Sequence, residues 1–283
     1  MLSESAYLAI AALDDRRGAA KVFSAAPLTS DDLETHFADH IEAVDLVEWN
    51  ADAGRVVARR QRRLGALVLT DGPLDSPDPD ALADALLNGI REAGLQALPW
   101  SKSSRGLQDR LRFLHHHRPD QWPDVSDATL LTSLEVWLRP HLIGRRRLDE
   151  VRALDLSALL LTPLDWQQRN ALDRLAPSHL TVPSGSKRPL DYSTPETPVL
   201  AVRLQEVFGL METPRLLYGT VAVTMHLLSP AQRPVQVTQD LAGFWASSYF
   251  DVRKDLRGRY PKHHWPENPL EATPTARAKR RRS

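Results

Sequence analysis

The chain has 283 residues, 42% of them hydrophobic and 6% aromatic, which is enough apolar surface for two or three ordinary globular domains. It has no cysteine, which excludes disulfides, thiolate metal sites and cysteine nucleophiles, and no apolar run near the roughly 18 residues of a membrane helix. Its 36 basic and 36 acidic residues cancel, but unevenly: residues 251–283 hold ten Lys/Arg against four Asp/Glu, leaving 26 against 32 before them. A cationic end on a neutral chain is an electrostatic footprint for an anionic partner. Thirty of the 36 cations are Arg, so Arg abundance by itself carries little weight. The opening "MLSESAYLAI" lacks the basic and apolar regions of a signal peptide, so a cytoplasmic protein is expected.

The first 70 residues read as β-rich. "YLAIAAL" (7–13) and "KVFSAAPL" (21–28) are short apolar runs split by the polar turn "DDRRG". "TSDDLETHF" starts a short helix in which Thr29 or Ser30 caps and early Asp residues suit the positive end. "IEAVDLVEWN" (41–50) and "GRVVARRQRRLGALVLTDG" (54–72) read as two strands about the turn "NADAG". Strand, strand, helix, strand, strand is the order of an oligonucleotide-binding (OB) barrel lacking its first strand. The unpaired edge such a barrel would leave suggests that the chain begins inside a larger protein.

The Pro/Asp stretch "DGPLDSPDPD" (71–80) marks the first boundary. Beyond it the apolar period becomes helical. "DPDALADALLNGIREAG" sets Leu82, Ala85, Leu86, Gly89 and Ile90 on one stripe, "SSRGLQDRLRFLHHHRP" stops at Pro119, "SDATLLTSLEVWLRPHL" stops at Pro140, and "DWQQRNALDRLAP" adds a short helix. From 177 the pattern turns α/β. "SHLTVPSGSKRPLDYS" reads as two strands around "PSGS", "PVLAVRLQEVFGL" as a helix opened by Pro198, and "GTVAVTMHLLS" and "RPVQVTQ" as strands joined by "SPAQ". "DLAGFWASSYFDVRKDLRGR" reads as one amphipathic helix capped by Asp240, with Leu241, Phe244, Trp245, Ser248, Val252 and Leu256 on one face. The fold class expected is therefore α+β and multidomain: a partial OB-like β-barrel over 1–74, a small helical unit over 75–176, a C-terminal α/β domain over 177–270 and a basic disordered tail over 271–283.

No motif of independent catalysis emerges. His36 and His40 in "HFADH" share a helix face, but Phe37 stands where a metalloprotease carries its Glu. The run His115–His117 fans round a helix instead of converging, and His263 and His264 lack a third ligand at useful spacing. There is no G-x-S-x-G or S-x-x-K, and "GSK" (185–187) lacks the remainder of a Walker A loop. No metal and no catalytic residue is expected. For nucleic acid, "RGRYPKHHWPENP" (257–269) offers cations for phosphates and aromatic faces for bases. The candidate contacts are Arg253, Lys254, Arg257, Arg259, Tyr260, Lys262, His263, His264 and Trp265, joined by Lys187 and Arg188 and by Arg59, Arg60, Arg62 and Arg63 of "RRQRR". The competing readings are a loop that buries Tyr260 and Trp265, turn solvation at 187–188, and a solvated strand edge at 59–63.

The stretches "HLLSPAQRPVQVTQDLAGFWASSYFDVRKDLRGRYPKHHWPENP", "HLTVPSGSKRPLDYS", "PVLAVRLQEVFG" and "TPRLLYGTVAVTMHLLS" resemble the C-terminal domain of HrpB-type bacterial DEAH-box ATP-dependent helicases, and "SAAPL", "VEWN" and "RRLGALVL" resemble the region just upstream. The resemblance covers nearly the whole chain. In that family two motor domains precede these regions, but no Walker A, DEAH box or Q-x-x-G-R-x-G-R occurs in these 283 residues. The resemblance implies an accessory region that helps a motor hold single-stranded RNA or DNA, with motor domains as partners in cis or in trans. It implies no cofactor in this chain, since ATP and Mg²⁺ belong to the motor, and no membrane. The alternative it leaves open is a protein-interaction extension that docks on the motor or another partner and touches no nucleic acid.

Overall fold

The structure is a computed structural model that describes residues 5–14 and 21–276, so most of the "DDRRG" turn and the basic tail from 277 lie outside the described residues. Two compact units divide the chain, one formed by residues up to Ala93 with Arg139–Arg152, the other by Gly94–Leu138 with the chain from Ala153. Helices and several separate sheets make the fold mixed α and β.

In the first unit, β1 (Tyr7–Asp14) and β2 (Lys21–Leu28) form a two-stranded antiparallel sheet of largely exposed residues, with Phe23 62% exposed. Helix α1 (Ser30–His36) begins at Thr29, whose hydroxyl accepts from the Asp32 N–H while the Asp32 carboxylate accepts from the Thr29 N–H. Strands β3 (Ile41–Asn50), β4 (Arg55–Leu64) and β5 (Leu67–Pro73) then run as an antiparallel meander. Residues 54–72 are thus a hairpin and not the single strand expected. Gly65 sits at φ +57°, the left-handed conformation that a tight reversal needs and that Gly adopts without steric cost. Among the described residues these strands fall into a two-stranded and a three-stranded sheet, with no hydrogen-bonded closure joining them.

Helix α2 (Pro79–Ala93) packs its buried Leu82, Leu86 and Ile90 stripe toward β3 and β4. A Cβ placed on Gly89 would overlap the indole of Trp49 on β3, so the missing side chain is what lets ring and helix backbone meet. Gly106, exposed in α3 (Lys102–His117), has nothing within 4 Å of such a Cβ. The two glycines should therefore respond to alanine with opposite signs. Gly106→Ala is expected to stabilise by about 0.5–1 kcal/mol through helix propensity. Gly89→Ala is expected to lose about 1–3 kcal/mol to overpacking despite the same propensity gain. Urea denaturation of both variants checks this, and equal stabilisation would overturn the packing account. The segment returning at 139–152 binds the same unit: the Arg139 guanidinium donates to Asp80 and Asp84 of α2, the Val56 N–H to the Arg146 carbonyl at 2.8 Å, and the Leu148 N–H to the Gly54 carbonyl at 3.2 Å.

In the second unit, α3, α4 (Asp127–Thr132), α5 (Leu134–Trp137), α6 (Leu156–Leu161) and α7 (Trp166–Leu175) are followed by strands. The helix expected to run unbroken to Pro140 is interrupted at Ser133, whose hydroxyl donates back to the Thr129 carbonyl at 2.6 Å. Strands β6 (His179–Thr181), β7 (Lys187–Asp191) and β8 (Val199–Arg203) come next. After them come β9 (Arg215–Leu216), β10 (Val221–Ala222), β11 (Thr224–Leu228) and β12 (Pro234–Thr238). Five make one sheet in the order β12-β11-β8-β7-β6, antiparallel throughout except for the parallel β8–β11 pair; β9 and β10 form a small hairpin.

The helix expected from Pro198 is strand β8. Leu200 and Val202 alternate inward beside Met225 and Leu227 of β11, and a helical stripe of Leu200, Leu204, Val207 and Phe208 could equally be drawn through the same apolar run. Burial on a parallel pair, with two β-branched valines, decides it. The long amphipathic helix is also two: α8 (Leu241–Ala246) and α9 (Tyr249–Arg259), parted at Ser247, whose N–H and hydroxyl both bond to the Gly243 carbonyl. The break turns Tyr249 inward to join Phe208, Phe244 and Trp245 in an aromatic cluster, with the Trp245 and Tyr249 rings 5.4 Å apart.

Candidate nucleic-acid interface

Helix α9 and the proline-rich segment after it carry most of the sequence-predicted contacts, and the structure sorts them into two sets. The loop residues are woven onto the body of the second unit. Trp265 is 7% exposed, and its Nε1–H donates to the Tyr260 carbonyl at 2.9 Å. Its ring therefore offers no open face to a base. The Arg253 Nε–H donates to the Trp265 carbonyl at 3.1 Å, the Tyr249 hydroxyl to the Pro266 carbonyl at 2.7 Å and the Gly209 N–H to the Pro269 carbonyl at 3.0 Å. Burial pushes the Tyr249 phenol up to about 12, as befits a hydroxyl that serves as a structural donor.

The centre of this anchorage is Gln205, 3% exposed, which follows β8. Its amide donates to the His264 carbonyl at 2.9 Å and accepts from Nδ1 of His263 at 3.0 Å, and its own carbonyl accepts from the Thr275 N–H at 2.9 Å. Burial, with the Arg203 cation nearby, holds the His263 imidazole below its ordinary pKa, so it is a neutral hydrogen-bonding partner near pH 7. Residues 271–276, read as the start of a loose tail, are thus tied to the body through Thr275, and the Arg203 guanidinium reaches the Ala276 carbonyl.

The second set faces outward. Lys254, Arg257, Arg259 and Lys262 are exposed, and none makes a side-chain hydrogen bond or ion pair among the described residues. Lys254 and Arg257, three apart on α9, share a helix face, and Tyr260 is half-buried beside them. Arg253 belongs to the first set, since its guanidinium also meets Glu267 at 3.2 Å.

The remaining predicted cations are committed elsewhere. On β4, Arg59 pairs with Asp71, Arg60 with Asp45 and Arg62 with Glu34, each at 2.6 Å, and Arg63 donates to Gln61 at 2.7 Å. The "RRQRR" stretch is therefore a strand on which three of the four guanidiniums are matched by acidic neighbours and the fourth, Arg63, meets the neutral Gln61 amide. Arg188 on β7 forks onto Glu206, which is 0% exposed, with its Nε–H at 2.8 Å from Oε2. That fork leaves Lys187 as the exposed cation of the pair first taken as phosphate contacts. His115 and His117 donate to the Trp122 and Glu196 carbonyls at 2.8 and 2.9 Å, and no group of three metal-ligating side chains occurs among the described residues.

The sequence reading passed over Gln205 and Glu206, which lie in the stretch taken for a helix, and over Tyr218. The Tyr218 ring is 64% exposed, its hydroxyl accepts from the Arg174 Nη2–H at 3.0 Å, and the Arg174 and Arg118 guanidiniums lie 5.4 and 5.8 Å from its centroid. Nothing in the sequence links Tyr218 to cations 44 and 100 positions earlier.

Comparison with known proteins accounts for both ends of the chain. Residues 137–269 match the family model for the ATP-dependent helicase C-terminal region, and residues 40–74 that for the connector region of the ATP-dependent RNA helicase HrpB. The chain is 40% identical over 262 residues to the ATP-dependent RNA helicase HrpB of Escherichia coli K12, an alignment covering 92% of this chain and 32% of that protein. It is similar to the crystal structure of the E. coli DExH-box NTPase HrpB with a TM-score of 0.69 and 38% identity, over 98% of this chain and 35% of that one. A crystal structure of the E. coli DEAH/RHA helicase HrpB matches with a TM-score of 0.59 and 40% identity, over 80% of this chain and 29% of that one. The chain thus spans about a third of the length of the curated relative it matches.

Proposed function

We propose, for a chain that belongs to the HrpB family of ATP-dependent helicases over residues 40–74 and 137–269, that it is a non-catalytic accessory region which helps such a helicase hold single-stranded nucleic acid. ATP and Mg²⁺ chemistry rests with motor domains, in cis or in trans, and the setting is the cytoplasm. The observation that carries the reading is the outward set on α9 and just after it: four cations within nine residues, without a carboxylate partner, where Arg59, Arg60, Arg62 and Arg188 are each paired with one. Unmatched cations keep their full value for phosphates, because binding releases counterions without first breaking an internal ion pair. The order strand, strand, helix, antiparallel meander over residues 7–73 supports a distant OB-like origin for the first segment.

Fluorescence anisotropy of a labelled single-stranded RNA tests this at low and moderate salt. Affinity is expected to fall with salt, and these four cations contribute about −3 to the log–log slope if all of them meet phosphates. Replacing Lys254, Arg257, Arg259 and Lys262 together by Ala is expected to weaken binding and flatten that slope. No binding at low salt would overturn the reading in favour of the docking extension, for which the woven 260–269 loop speaks; co-elution with a separately expressed motor fragment would then be the measurement.

A further inference from the structure

The β9–β10 hairpin turns through residues that resist the conformation they hold. Leu217 and Tyr218 sit at φ +51° and +57°, ahead of Gly219 at +87°. For side chains other than Gly the left-handed region costs about 1–2 kcal/mol per residue. The turn is over-determined by its surroundings. Leu217 is 1% exposed and locks one position into the core; the Gly219 N–H donates to the Leu216 carbonyl at 3.0 Å; and the Arg215 guanidinium donates to the Gly219 and Thr220 carbonyls at 2.6 and 3.2 Å. The effect is to hold an aromatic ring out in solvent. Burying Leu217 forces the next side chain outward, so Tyr218 is displayed while Arg174 and Arg118 stand close to its ring. Beside it, Arg118, Leu217 and Thr220 also line an open cleft of about 940 Å³.

The chemistry of that cleft is mixed. Its cations Arg118 and Arg215 are offset by Asp120 and Glu196, and burial keeps His117 below its usual pKa and so uncharged near neutrality. A polyanion gains little by entering. A neutral planar group with polar edges gains more, since Gln121 and Thr197 also line the cleft. Arg174 does not line the cleft; it lies 5.4 Å from the Tyr218 centroid, has no carboxylate partner among the described residues, and keeps donors for an anion beyond the one given to the Tyr218 hydroxyl.

We propose that the Tyr218 turn is a nucleotide-binding site for single-stranded nucleic acid, in which a base stacks on the Tyr218 ring, its polar edge faces the cleft, and the adjoining phosphate is met outside the cleft by Arg174. Arg215 is a positioning residue that holds the turn. The inference rests on the nucleic-acid role proposed above and assigns to it a stacking contact that α9 does not supply. A base stacked on an aromatic side chain is worth about 1–3 kcal/mol.

The test is anisotropy with a labelled oligouridylate and the full chain, comparing wild type, Tyr218→Ala, Tyr218→Phe, Arg174→Ala and the fourfold α9 variant. Tyr218→Ala is expected to weaken binding about 5- to 150-fold with little change in salt dependence. Tyr218→Phe should keep most of the affinity, because the ring face and not the hydroxyl does the stacking. Arg174→Ala should weaken binding and reduce the salt slope by somewhat under one unit. Urea denaturation of each variant confirms that the fold is intact; Tyr218→Ala relieves no buried contact and is expected to unfold like wild type. Binding that is indifferent to Tyr218→Ala but lost in the α9 variant would overturn this site and leave the accessory role standing. No binding by wild type at low salt would overturn both. Equal loss in Tyr218→Ala and Tyr218→Phe would overturn stacking as the mode of contact.

Discussion

Trp265→Ala should cost about 3–5 kcal/mol of stability, the range for truncating a large aromatic in a packed core. Two losses combine: the apolar area of an indole 7% exposed, and the hydrogen bond from Nε1 to the Tyr260 carbonyl, which leaves that carbonyl to find another donor. Trp265→Phe separates them. It keeps most of the ring and gives up the hydrogen bond, so a loss nearer 1–2 kcal/mol is expected. Chemical denaturation measures both. If Trp265 were a solvent-facing platform for bases, Trp265→Ala would instead leave stability within about 0.5 kcal/mol and lower RNA affinity. The same stretch that looks most like a nucleic-acid grip in the sequence is expected to act first on folding.

Arg188→Ala is expected to be of similar size, about 3–5 kcal/mol, for a different reason. Glu206 is fully buried, and its carboxylate meets the Arg188 fork, with only a distant Ser184 hydroxyl at 3.5 Å as further support. Removing the guanidinium strands a buried charge, which costs far more than the intact pair contributes. Arg188→Lys should recover only part, since a single ammonium cannot reproduce two parallel hydrogen bonds. The decisive comparison is the double variant Arg188→Met with Glu206→Leu. It should be more stable than Arg188→Ala alone, because replacing both partners by apolar groups leaves nothing unpaired. An Arg188→Ala variant as stable as wild type would return Arg188 to the roster of free cations.

Much of the fold was legible because its elements announce themselves locally. The Thr29 and Asp240 caps, the stripe of α2 and the 179–191 hairpin all follow from spacing within a dozen residues. The failures share a cause. Val199–Arg203 is a strand because it lies between β7 and, some twenty residues later, the parallel β11, and a short apolar run carries no mark of its distant neighbour. Ser133 and Ser247 end helices through backbone bonds that compete with the helix, where amphipathic periodicity runs on undisturbed. For the candidate site, charge and composition identified where cations concentrate but not which were already spoken for. Arg60 and Lys254 look alike in sequence; only the register that sets Asp45 opposite Arg60 tells them apart.

The return of residues 139–152 to the first unit bears on how this protein can be divided. The peptide passes from one unit to the other at 93, at 138 and again at 152, so neither unit is a continuous stretch of sequence. A fragment ending at residue 74 keeps Trp49 but loses the Gly89 backbone it lies against, and strips β4 of the hydrogen bonds at Gly54 and Val56 that 146–148 supply. A fragment beginning at 137 carries that returning segment with no strand to receive it, and forfeits α3, whose Phe113 packs 5.1 Å from Tyr192. The borders at which the two matched family segments begin and end are therefore poor places to cut. Truncations meant to isolate nucleic-acid binding should keep the chain from β3 through Thr275 whole and alter single side chains instead.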